Sequence, residues 1–259
     1  MMRLLRSFLP IAVIAVLSPR LHAQTNPPES EQYTVRLQGR LWGPGLAAQM
    51  QMTGSEMGTL IDVPKDLAVE DKSTFEVRGT VQLGLGHKIR LGFTNLDYDG
   101  DTQITKEIKF GDTVYPRFTH LVTSLKGSYY SGDYEWDFAK GEYGFFGACV
   151  GAKVFDVDGL LVAPDRSDRD VETIRVPVPV LGVMGQGYYG RFSAGAELSA
   201  FTIGPTANFL ELYINTHVAL TPQIGVEAGY RYFKIHGEHS NDLIDMKLSG
   251  LYLGAEVNF

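Results

Sequence analysis

The stretch Ile244 to Phe259 reads I-D-M-K-L-S-G-L-Y-L-G-A-E-V-N-F. Side chains alternate across a β-strand with a period of two. Leu251, Leu253, Ala255, Val257 and Phe259 therefore share one face, and Gly250, Tyr252, Gly254, Glu256 and Asn258 share the other. One face is wholly apolar; the other is polar or small. The alternation runs through to Phe259, where an ordinary domain end would fray. A strand with lipid on one side and a wet lumen on the other has this pattern.

This ending resembles that of the bacterial outer-membrane β-barrels, whose final strand alternates in this way and ends in Phe. The resemblance implies that Phe259 is the signal read by the barrel-assembly machinery. It also implies that outer-membrane lipids cover the apolar faces and that the location is the cell outer membrane of a Gram-negative envelope. A strand of a soluble β-sandwich is the alternative for the ending taken alone.

The first residues favour the barrel. Met1 to Ala23 has the three parts of a secretory signal: Arg3 and Arg6, the apolar run Phe8 to Leu17, and a cleavage site at Leu21-His22-Ala23. That run is shorter than the roughly 20 residues a spanning helix needs. Gln24 to Gln32 reads as a short periplasmic leader, and residues 33–259 as the barrel. The single cysteine, Cys149, excludes a disulfide within one chain. The 29 Gly and 13 Tyr suit a barrel, where Gly relieves crowding inside and Tyr sits at the membrane interface. Arg3, Arg6 and Arg20 leave with the signal. That leaves 20 basic residues against 30 acidic ones, a net of −10, which excludes nucleic acid as a partner.

The alternation test predicts an all-β fold: a transmembrane antiparallel up-and-down β-barrel of about ten strands. The count falls to eight if the strand with Pro177 and Pro179 and its neighbour fail, and rises to twelve if Leu46–Lys72 and Ile104–Phe110 add a pair. Proline cannot donate to a ladder, so Pro177 and Pro179 predict a bulge or interrupted pairing, with Ile174, Val176, Val178 and Val180 as that strand's apolar face. Short turns near Gly84, Lys140, Gly187 and Pro222 alternate with longer loops near Asp99, Asp158, Ile203 and Glu238, which puts both termini on the periplasmic side. The resemblance to small barrels implies a monomer.

The predicted inward face mixes signs. Arg36, Arg40, Arg78, Lys88, Arg90, Lys153, Arg191 and Arg231 stand against Glu76, Asp133, Glu135, Glu197, Glu211, Glu227 and Glu256. Side chains can fill a barrel of this size. The expected lumen network is Arg191, Glu197, Glu211, Glu227, Arg231 and Glu256, a set of charge pairs that closes the passage. The resulting function is a structural, interaction or minor-permeability role with no external ligand identified. A narrow channel for small solutes or ions is the first alternative.

The second alternative is a lipid A-modifying enzyme. The segment His236-Gly237-Glu238-His239-Ser240-Asn241 bears a superficial resemblance to the late-strand His and Ser of outer-membrane lipid A deacylases. The spacing departs from that family, because the adjacent His239 and Ser240 point to opposite faces of a strand. His236, Glu238, His239 and Ser240 are weak catalytic candidates, and a solvated loop is the simpler reading. No metal site or cofactor is expected: His236 and His239 lack a further ligand fixed by spacing. Asp97, Asp99 and Asp101 lack the glutamate of a calcium loop and read first as a solvated turn.

Overall fold

The computed structural model describes residues 31–259 apart from residue 167. The expected signal peptide, Met1 to Ala23, and most of the leader Gln24–Gln32 lie outside the described residues. The chain folds as β1 (Val35–Gln51), β2 (Ile61–Asp62), α1 (Val63–Leu67), β3 (Thr74–Gly84), β4 (His87–Gln103), β5 (Ile108–Phe110), β6 (Thr113–Tyr115) and β7 (His120–Gly141). It continues with β8 (Gly144–Ala163), β9 (Asp168–Tyr189), β10 (Phe192–Ile203), β11 (Ala207–Ala219), β12 (Ile224–His239) and β13 (Asp242–Asn258). Ten of these strands form one antiparallel sheet in sequence order. The sheet closes where β1 pairs with β13, from Arg36 opposite Asn258 to Gln51 opposite Leu243. Closure joins the first and last strands, so the sheet has no free edge strand of the kind hydrocarbon excludes.

The period-two pattern sets what each face meets. Leu41, Leu91, Val150, Leu181, Ile214, Leu251 and Leu253 project outward and are exposed. Tyr130, Tyr134, Trp136 and Phe138 also project outward, on consecutive outward positions of β7 apart from Gly132. This is an apolar belt with aromatic residues, the surface that suits lipid. No helix of the described residues is long and apolar enough to cross a membrane. Inward glycines accommodate large side chains from the next strand. At Gly229 a side chain would run into the Tyr252 ring, and at Gly225 into the His217 imidazole.

Three segments expected to be loops are strand. β4 continues through Asp97–Thr102, β8 and β9 run through most of Asp156–Asp170, and β12 includes His236 to His239. These stretches lie past the apolar belt, where the outer face meets water and alternation is lost. The backbone ladder continues although the side-chain signal stops. Leu46–Lys72 adds no barrel pair: it supplies the end of β1, the two-residue β2 and α1. α1 starts where the Asp62 side chain accepts from Lys65 N at 3.3 Å, with Pro64 in its first turn.

The proline strand also departs from expectation. The β8–β9 ladder is unbroken, with Val154 opposite Pro177 and Ala152 opposite Pro179. Pro177 and Pro179 face outward, while Val178 and Val180 are the buried, inward residues. The hydrogen-bond parity explains how the strand tolerates them. Tyr188 N donates to the Tyr143 carbonyl at 2.8 Å. Even-numbered residues of β9 therefore bond to β8, and odd-numbered ones turn toward β10. Leu181 opposite Ala200 is the last β9–β10 pair. Pro177 and Pro179 follow on the edge that has no partner, where a missing N–H breaks no bond.

Candidate functional site

The interior is layered. At the level of the apolar belt it is filled by paired charges carried on nine barrel strands. Arg231 on β12 is 1% exposed. Its Nη1 donates to Glu76 Oε2 at 2.7 Å and its Nη2 to Glu211 Oε1 at 2.7 Å. Arg40 on β1 grips Glu227 with Nε and Nη2 at 2.7 and 3.1 Å, and donates through Nη1 to the other oxygen of Glu76 at 2.7 Å. Arg90 on β4 holds Glu197 in a fork, at 2.6 and 2.9 Å. The planar guanidinium suits this two-point contact with a carboxylate.

These pairs join into one network. Arg78 lies 3.8 Å from Glu76 and 3.4 Å from Glu197, linking the Arg231 and Arg90 groups. Arg90 continues to Glu135 at 3.0 Å, and Lys88 joins Glu135 and Asp137, each at 3.0 Å. On the other side Lys153 bridges Asp133 at 2.9 Å and Glu211 at 3.6 Å. A smaller group sits nearer the termini: Glu256 lies 2.9 Å from His217 Nε2 and 3.5 Å from Arg36, which reaches Glu31 at 3.1 Å. Aromatic rings wall the charges. Arg231 lies over Trp42 at 4.4 Å from its ring centroid, and Arg78 over Tyr213 at 4.5 Å. A cavity of about 90 Å³ lies among these groups, room for a few waters.

Above the charges lies an aromatic layer. Tyr129, Phe155, Phe209 and Phe233 are all buried, with centroid separations of 4.9 Å between Tyr129 and Phe155 and 5.5 Å between Phe155 and Phe233. Tyr129 connects the two layers by donating its hydroxyl to Glu211 Oε2 at 2.8 Å. A cap covers the far end. Val63 and Leu67 of α1 pack with Ile61, Ile104, Ile108, Tyr115, Leu121 and Leu161, all buried. Main-chain bonds tie its two halves together, Thr59 N to Lys109 O at 2.9 Å and Gly111 N to Met52 O at 3.2 Å. Gly100 permits the contact of cap with wall, since any side chain there would meet the Leu67 carbonyl.

Five of the six expected network residues are buried and inward: Glu197, Glu211, Glu227 and Arg231 join the main network, and Glu256 belongs to the smaller group with His217 and Arg36. Arg191 joins neither. It is exposed in the turn between β9 and β10, after Gly190 at a φ of +58°, and the inward alternation begins only at Ser193. The aromatic layer was not foreseen as a unit. Its residues show in the sequence as inward positions, but Tyr129, Phe155, Phe209 and Phe233 lie on separate strands.

Among the described side chains, the His236–Ser240 segment brings no serine hydroxyl within hydrogen-bond distance of a histidine. His236 Nδ1 faces Asp245 Oδ2 at 3.0 Å. Ser240 is exposed in the turn at a φ of +57°, and among the described residues no hydrogen bond joins it to His236 or Glu238. The side chain of His239 lies outside the described ones. Asp97, Asp99 and Asp101 line the outer face of β4 as it projects. Lys72 lies 3.3 Å from Asp99, and His120 Nε2 lies 2.6 Å from Asp101. Among the described residues no group of three such side chains is arranged to hold a metal ion. Phe259 has an exposed ring, and its backbone is fixed to β1: Thr34 N donates to its carbonyl at 2.6 Å, and its N–H donates to Val35 O at 2.8 Å.

No family model matches the chain, and no curated protein matches it by sequence. Solved structures do match. The outer membrane protease OmpT from Escherichia coli superposes with a TM-score of 0.55 at 9% identity, over 87% of this chain and 96% of that one. The outer membrane protein OprG from Pseudomonas aeruginosa gives 0.39 at 9%, over 90% and 100%. At this identity the OmpT match establishes shared fold and nothing about activity. A closed wall with carbon outside and paired charge inside suits a bilayer, and this chain has the fold of the outer-membrane β-barrel proteins.

Proposed function

We propose that this barrel is a closed, non-conducting outer-membrane protein whose working surface is its capped extracellular end, giving it a structural or interaction role. The observation that carries this reading is the succession of three fillings along one axis: cap, aromatic layer and charge network. A conducting pore needs a continuous wet path through the lumen, and an ion-selective one commonly carries a ring of one sign at its constriction. Here both signs are matched within salt-bridge distance, and the cavity among them is about 90 Å³. Purified protein in planar bilayers is expected to stay silent under applied voltage. Steady, ion-selective steps from the wild type would overturn this reading and establish the narrow channel.

Assembly belongs to the same proposal. Phe259 offers an exposed aromatic ring at the β1–β13 seam, a position suited to recognition while that seam is still open. Deleting Phe259 should lower the amount of heat-modifiable, membrane-inserted protein while leaving synthesis unchanged. Wild-type levels of inserted barrel in that deletion would remove Phe259 from assembly.

A further inference from the structure

The wall is not uniform. β10 has 12 residues and β9 has 22, so β9 projects well past the point where their pairing ends at Leu181 and Ala200. The next two odd-numbered residues of β9, Pro179 and Pro177, have no N–H to extend the ladder. A cavity of about 660 Å³ opens at this notch, within the size range of small-ligand sites. Outward-facing Leu181, Ala200 and Leu210 line it together with inward-facing Val180, Phe201 and Phe209. Residues from both faces line one cavity only if it enters the wall itself. At its polar end stand Lys234 and His236, which share Asp245 at 3.3 and 3.0 Å.

We propose that this notch is a lipid-binding site that takes one acyl chain of an anionic membrane lipid, with the phosphate held by Lys234. Position identifies the occupant. The notch opens at the upper margin of the apolar belt, beside Val150 and Leu181, so bilayer lipid is the surrounding solvent and outcompetes a scarce solute by mass action. Charge identifies the headgroup. On this flank Lys234 and, directly across the β12–β13 ladder, Lys247 point outward past the belt. Asp245 offsets one of the two and leaves one cationic group at the polar end of the notch, where it can meet a phosphate. The prolines keep the site open, because a β9 edge with intact donors would zip onto the last residues of β10.

The test uses the full chain folded into phosphatidylcholine vesicles. Cys149, the native thiol, is buried, so Ala200→Cys places a fluorophore in the notch alone. Leu251→Cys on β13 is the control, exposed on the ordinary belt. Quenching is compared for equal minor fractions of brominated phosphatidylglycerol and brominated phosphatidylcholine. At position 200 the anionic lipid should be preferred about five-fold, the ratio expected from one lysine at the membrane surface. At position 251 the ratio should be near one. Lys234→Gln should bring the position-200 ratio down to the control value. So should Pro177→Val with Pro179→Val, which restores both donors. Equal ratios at positions 200 and 251, or a preference at position 200 that survives both sets of substitutions in heat-modifiable barrels, would overturn the site.

Discussion

Replacing Arg231 with alanine is expected to destabilise the folded barrel by about 3–5 kcal/mol, the cost of removing one partner from a buried, hydrogen-bonded ion pair. Arg231 is 1% exposed and holds two carboxylates at once, Glu76 and Glu211, each at 2.7 Å. Its loss leaves both acids short of charge in an interior with little room for water. They are not equally abandoned. Glu76 keeps Arg40 at 2.7 Å, whereas Glu211 keeps Lys153 only at 3.6 Å and the Tyr129 hydroxyl at 2.8 Å. Most of the damage therefore falls on Glu211, and adding Glu211→Gln to the alanine variant should recover part of the lost stability. Urea unfolding in lipid vesicles, run reversibly on the single and double variants, measures both quantities. A loss under about 1 kcal/mol for Arg231→Ala, the size typical of an exposed pair, would mean that the network is far wetter than its geometry indicates.

Much of this interior is legible in the sequence, for a physical reason. A membrane barrel presents lipid to one face of every strand, so each strand reports its register by itself. Glu197, Glu211, Glu227 and Arg231 are identified as inward simply because Leu198, Leu212, Ala228 and Tyr230 stand beside them. The method fails where lipid stops. Beyond the belt, the outer residues Asp97, Asp99 and Asp101 are as polar as any turn, so a projecting strand reads as a loop. It fails again at Val178 and Val180, where an apolar interior replaces the charged one and the apolar set changes sides. Arg191 shows a third limit, since alternation carried one residue past a strand end enters the turn. Which inward residues meet across the lumen was never legible, because the contact between Arg90 and Glu197 depends on barrel closure and not on spacing.

The aromatic layer and the charge network should fail separately, and their separation is the sharpest test of a lumen sealed more than once. Phe233 is fully buried and stacks among Tyr129, Phe155 and Phe209, with centroids 5.5 to 6.2 Å away. Phe233→Ala should cost about 3–5 kcal/mol, as for other buried aromatic truncations, since the neighbouring rings are held on strands that cannot close over the void. It should not conduct, because the Arg90–Glu197 and Arg40–Glu227 forks below it are untouched. Arg231→Ala alone should likewise remain silent or flicker, because Phe233 and the cap still lie above it. The double variant removes the ring and the guanidinium from adjacent levels, joined through the Tyr129 hydroxyl. It should show the larger leak in planar bilayers and a stability loss that is not the sum of the two, since both substitutions act on Tyr129. Conductance from Phe233→Ala by itself would mean that the charged layer is permeable and that the rings are the true gate.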